Sequence, residues 1–307
     1  MSYRDDIKRT VTMYQLPEVF TDASLREFIS ESGSLRSIWG FCERDISDIN
    51  LTNISNDVLF SIAFNSNTIW GITDYPYNAV FEQMKNPGLG LKKLHADGID
   101  GRGVNIAVID KPILRTHSEF SASLKEYSVV CEHERNDDYH FHGMTCASFA
   151  CGKTAGIAPG AKLYYYAYPD WFTSDGMYWD YYFKAFDMII EHNRKFKDKI
   201  NIVSVSAGVP AAKTELLEKL FGYCSQMAEN GCYMVLSNNF GKTFTCSSRT
   251  YGMDVDSFDC YRLDGWQKNP WDRERILIPS GGRTSACNSG NDEFIYLGNS
   301  SCYSWAI

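Results

Sequence analysis

The feature that most constrains the fold is Gly103-Val-Asn-Ile-Ala-Val-Ile-Asp110, a run dominated by valine and isoleucine behind a turn-prone Gly-Ile-Asp-Gly-Arg-Gly. Such a run predicts a short strand buried on both faces, as strands are in a parallel sheet covered by helices. It ends on a carboxylate, which is costly to bury unless paired or hydrogen-bonded. In open α/β sheets, sites are built at the carboxyl ends of the strands. Taken alone, Asp110 reads as a helix N-cap or turn residue. The segments after it change that reading.

Strand-like and helix-like stretches alternate along the chain. Residues 79–95 form a helical stretch broken at Pro87-Gly88. After the central strand come a small apolar helix (142–151), an aromatic strand (163–168) and an amphipathic helix (179–197). A strand (200–206), a helix (211–230) ended by Gly231 and a further strand (232–237) follow. This order predicts an α/β fold: a doubly wound, mainly parallel sheet with helices on both faces. Residues 242–280 lack a clear period and read as an irregular insertion.

Residues 1–75 are the least regular part. A helix is predicted over 22–32, capped by Thr21 or Asp22. Beyond it Ile49 and Ile54 lie five apart in a faint coil-like recurrence, which reads more simply as an edge strand and loop. The expected organisation is an N-terminal extension, 1–75, packed on a main domain of 76–307.

A hydrophobic content of 44% with 22% charged residues is that of a soluble globular chain. A net charge of −8 argues against a nucleic-acid partner, because no basic tail offers counterion release. No apolar run approaches a membrane span. The N-terminus is polar, without a signal-peptide core, so a cytoplasmic protein is expected. Ten cysteines are scattered without a C-x-x-C pair, which favours reduced thiols over disulfides and gives no metal site. No cofactor motif is present.

Four segments fall into line with Asp110: His142-Gly-Met-Thr-Cys-Ala147, Gly156-Ile-Ala-Pro-Gly-Ala161, Ser204-Val-Ser-Ala-Gly208 and Leu236-Ser-Asn-Asn239-Phe-Gly241. In this order they resemble the subtilisin-like serine proteases (subtilases, peptidase family S8) from about residue 77 to the C-terminus. The resemblance implies a nucleophilic triad running Asp, His, Ser along the chain. Asp110 matches its aspartate and His142 its histidine, with Met144 where the family's H-G-T run has Thr. His117 matches the histidine of a D-x-G-x-x-x-x-H segment, although Pro112 replaces the glycine. Ser206, Ala207 and Gly208 match the substrate-binding S-x-G edge. Asn239 matches the oxyanion-hole asparagine, with Asn238 in place of a glycine. His140 is a competing imidazole, but no glycine follows it. Calcium, frequent in the family, leaves no readable ligand cluster.

The chemistry explains these residue types. A serine hydroxyl is a weak nucleophile until a hydrogen-bonded imidazole takes its proton. A carboxylate must hold that imidazole in one tautomer and stabilise the imidazolium. Two serines compete in Leu297-Gly-Asn-Ser300-Ser-Cys-Tyr-Ser304-Trp-Ala-Ile307. Ser300 has the better left flank against the family's G-T-S-x-A-x-P. Ser304 is favoured because Trp305 and Ala306 fit on its right, as in the Ser-Trp-Ser/Ala-x-Pro version of a clostridial-type group of subtilases without signal peptides. Cys302 departs from the usual glycine. The chain stops three residues after Ser304, so the resemblance implies a domain incomplete at its C-terminus.

The expected function is a serine endopeptidase acting on a peptide or protein substrate, without nucleic-acid or membrane partners. The alternative is a non-catalytic subtilase-like peptide-binding or regulatory module, which the departures at Pro112, Met144, Asn238 and Cys302 favour.

Overall fold

The computed structural model describes residues 15–30, 40–131, 139–168, 178–207, 209, 213–236, 244–263, 276–279 and 281–298. The chain divides into two units, one of Met1–Asp97 with Thr245–Ser304 and one of Gly98–Phe244 with Trp305–Ile307. These boundaries differ from the 1–75 and 76–307 division expected from sequence.

The first unit opens with helix α1 (Asp22–Ser30). The Thr21 hydroxyl caps it, accepting from the Ser24 N–H at 3.0 Å. Residues 41–72 then coil on themselves. The N–H groups of Phe41, Ile46 and Leu51 donate to the carbonyls of Ala63, Ile69 and Ile72. These three residues are five apart, and all are buried. They form an inward-facing row distinct from the Ile49–Ile54 spacing noted in the sequence, of which Ile54 is buried and Ile49 only partly so. Helical turns α2 (Asn56–Leu59), α3 (Tyr77–Gln83) and α4 (Leu91–Ala96) and the short strand β1 (Phe64–Asn65) complete this stretch.

The second unit is built on a parallel sheet of β2 (Asn105–Asp110), β3 (Leu124–Val129), β4 (Lys162–Ala167), β5 (Ile202–Val205) and β6 (Tyr233–Leu236). Its strand order is β3-β4-β2-β5-β6, which puts β2 at the centre. All six residues of β2 are buried, as its apolar run predicts. Successive side chains point to opposite faces of the sheet. Ala107, Ile109, Tyr164, Tyr166, Val203 and Val205 pack in one core with Tyr182, Phe186 and Ile189 of α6 (Tyr178–Lys195) and with Leu220 and Met227 of α7 (Thr214–Glu229). The opposite face carries α5 (Phe141–Cys151), whose Gly143 lies against Tyr165 and Ile113. Helices therefore cover both faces, as a doubly wound sheet requires.

The chain returns to the first unit along β7 (Phe244–Arg249), flanked by β8 (Tyr261–Leu263) and β9 (Ile276–Pro279) in a second sheet. The stretch 242–280 read as irregular thus contains three strands. A third sheet, in the order β1-β11-β10, pairs β1 with β11 (Phe294–Leu297) and β11 with β10 (Arg283–Ala286), all antiparallel. One core unites residues from both halves of this unit, including Leu25, Phe41, Phe60, Phe64, Val255 and Tyr296. Arg249 is fully buried; it donates to the Gly282 carbonyl in its own half and to the carbonyls of Asn86 and Pro87 in the other, which joins the two halves. No helix among the described residues is long and apolar enough to cross a membrane.

Candidate functional site

Asp110 ends the central strand. Its neighbour in register is Ala167 on β4, and on the other side Ile109 pairs with Val205, so Ser206 leaves β5 beside it. This is the carboxyl edge of the sheet, where the order turns from β4 across β2 to β5. Asp110 is 1% exposed. Its Oδ1 accepts from the Lys111 N–H at 2.8 Å and lies 2.8 Å from Nδ1 of His142. Oδ2 is buried and has no hydrogen-bond partner among the described residues.

His142 is the second residue of α5. Every other residue of that helix is buried, and a helix apolar all round belongs inside the fold. The imidazole is 21% exposed, so it alone carries α5 to the surface. An ionised carboxylate can only accept, so Nδ1 is the donor in this contact. Burial alone pushes the Asp110 carboxyl up. The facing His142 charge, its hydrogen bond and the Lys111 N–H outweigh that and hold the carboxyl below the usual aspartate range.

Gly143 explains the His-Gly step. A Cβ there would collide with the Lys111 carbonyl, the Tyr165 hydroxyl and Ile113. Tyr165 is fully buried, donates to the Lys111 carbonyl at 2.5 Å and stacks on Tyr127. One turn below His142, Cys146 donates its thiol to Ser206 Oγ at 3.2 Å, and its sulfur lies 3.8 Å from His142 Nδ1. Burial pushes the Cys146 thiol well up, and the Asp110 charge adds to this. Ligand atoms of Asp110, His142 and Cys146 lie within 4.8 Å of one another, the geometry a metal ion could use. Binding a metal through Nδ1 would displace the Asp110 hydrogen bond, so the two uses exclude each other.

His117 is wholly buried and does not belong to this group. Its Nδ1 accepts from the Glu119 N–H at 3.1 Å. Glu119, 2% exposed, escaped the sequence reading. It accepts from the Thr154 N–H and hydroxyl and the Ala155 N–H, and so pins the turn that follows α5. Gly156 opens the Gly-Ile-Ala-Pro-Gly-Ala segment on that turn, with its N–H on the Gly152 carbonyl.

Residues 101–247 match the family model described as Peptidase_S8, the subtilase family. The chain carries a subtilase domain. Its match runs almost the length of the second unit, Gly98–Phe244. Solved structures similar to the chain include the prenylagaramide maturation protease PagA, at 20% identity over 70% of this chain and 76% of that one, with a TM-score of 0.45. The patellamide maturation protease PatG is similar at 15% identity over 71% and 77%, with a TM-score of 0.46. The PatG macrocyclase in complex with peptide is similar at 14% identity over 71% and 77%, with a TM-score of 0.47. No curated protein matches the chain by sequence.

Within the subtilase domain the structure brings Asp110 and His142 together and sets Ser206 and Ala207 just past β5. Gly208, Asn239, Ser300 and Ser304 lie outside the described residues.

Proposed function

We propose that the chain is a serine endopeptidase in which Asp110, His142 and Ser304 form the nucleophilic triad. The observation that carries this is the 2.8 Å contact between His142 Nδ1 and an almost fully buried Asp110 at the end of the central strand. Asp110 fixes the imidazole with its proton on Nδ1. His142 Nε2 accepts the proton of the serine hydroxyl as Ser304 attacks the scissile carbonyl, and returns it to the leaving amine. Asn239 donates to the oxyanion of the tetrahedral intermediate. Ser206, Ala207 and Gly208, following β5, pair with an extended peptide substrate by strand addition. The reaction needs neither cofactor nor metal, and no nucleic-acid or membrane partner. The Cys146–Ser206 contact requires a reduced thiol, which supports a cytoplasmic setting.

The test is labelling with a fluorophosphonate probe, followed by mapping of the modified peptide. The expected adduct lies on Ser304 and is absent from His142→Ala and Ser304→Ala. An adduct on Ser300 would reassign the nucleophile. Folded protein that takes no label, and binds peptide without cleaving it, would establish the non-catalytic module instead.

A further inference from the structure

We propose that His140 is a positioning residue, whose neutral imidazole caps α5 and so fixes the backbone from which His142 meets Asp110. This rests on the catalytic reading of Asp110 and His142 above.

The first N–H groups of a helix lack acceptors within it and take them from a cap. Serine, threonine, aspartate and asparagine are the usual providers. At α5 the cap residue is His140, in extended conformation (φ −117, ψ 134), and its side chain accepts from the N–H of His142 at 3.1 Å. The donated N–H therefore belongs to the residue whose imidazole faces Asp110. A ring nitrogen accepts only while it carries no proton. The bond thus requires His140 as the neutral tautomer protonated on Nε2.

His140 is itself tied to the segment that follows Asp110. Its own N–H donates to the Pro112 carbonyl at 2.8 Å, and its ring lies 4.6 Å from that of Phe141. The contacts close a circuit. Asp110 Oδ1 holds His142 Nδ1, the His142 N–H is held by His140 Nδ1, the His140 N–H is held by Pro112, and Pro112 lies two residues beyond Asp110. Two further ties run between the same segments: Leu114 N–H to Met144 Sδ at 3.2 Å, and Gly143 against the Lys111 carbonyl. The remainder of α5 is anchored independently by its buried side chains. Loss of the cap should therefore loosen the Asp110–His142 pair more than the fold. A purely structural cap would do the reverse.

The experiment uses the full chain with 15N-labelled histidine and follows the Nδ1 proton of His142 by NMR. Wild type is expected to show that proton as a protected low-field resonance. His140→Ala should lose it, or exchange it about tenfold faster, with little change in melting temperature. His140→Asn, which restores a short acceptor at the cap, should retain it. An unchanged resonance and exchange rate in His140→Ala would overturn the proposal and leave the catalytic pair standing. Absence of the resonance from wild type would overturn the pair, and the proposal with it. Should His140→Ala not fold, folded His140→Asn decides: retention supports the role and loss refutes it.

Discussion

Cys146 donates its thiol to Ser206 Oγ at 3.2 Å, joining the buried side of the histidine's helix to the end of β5. The contact ties two segments that the sequence separates by 60 residues. Replacing Ser206 with alanine leaves a buried, weak donor without its acceptor and should cost about 0.5–1 kcal/mol. Urea denaturation measures it. Because burial and the Asp110 charge both raise the Cys146 thiol, little thiolate exists near neutrality. Iodoacetamide at pH 8 should therefore spare Cys146 in the folded protein, as peptide mapping would show. Rapid stoichiometric alkylation would contradict this.

Gly143→Ala places a methyl group against backbone at Lys111 and against the Tyr165 hydroxyl. Backbone cannot yield as a flexible side chain can. The variant should lose about 1–3 kcal/mol and label far more slowly with a fluorophosphonate. Equal melting temperatures and labelling rates would mean that the close approach at Gly143 is not needed.

The Asp110 carboxyl is held below its ordinary value of 3.8 despite burial, chiefly by the facing His142. A carboxyl depressed in the folded state stabilises the fold above its unfolded value, and that contribution is lost as pH falls through the folded value. The stability gap between wild type and Asp110→Asn should therefore be full at pH 6–7 and close below about pH 3.8. Denaturant midpoints across that range test it. A gap that widens in acid would reverse the sign of the argument.

The central strand was legible because β2 is buried throughout, so that Ile106 to Ile109 form an unbroken apolar run up to Asp110. Helix α5 was legible for the same reason, and His142 stood out as the polar residue opening it. Strand β3, Leu-Lys-Glu-Tyr-Ser-Val, was missed: it is an edge strand whose partly exposed residues carry no apolar run. Strand β7 hides likewise behind Thr245, Ser247, Ser248 and Arg249. Ser247, Ser248 and Arg249 are buried, and Arg249 donates through its terminal guanidinium nitrogens to the distant carbonyls of Asn86 and Pro87. The split first unit was illegible because its sheet joins Phe64 to Tyr296, a pairing that no local pattern signals. The His140 cap was invisible because histidine is not among the residues that announce a helix start.

That split unit predicts the outcome of truncation. A variant starting at Tyr77 would strip β1 from β11 and remove Phe41, Phe60 and Phe64 from the core shared with Val255 and Tyr296. Limited proteolysis should then cut readily within 281–298, whereas the full chain resists there. Equal resistance would show that the two halves fold apart.

The central claim is that buried Asp110 holds His142 ready to take a proton from serine. The rate of fluorophosphonate labelling in wild type and Asp110→Asn tests it most directly, because the probe reports activation of the serine without depending on the natural substrate. Asparagine keeps the shape but forfeits the charge and favours the wrong tautomer, so labelling should slow by about 10³–10⁴-fold at neutral pH. Equal rates in two folded proteins would contradict it.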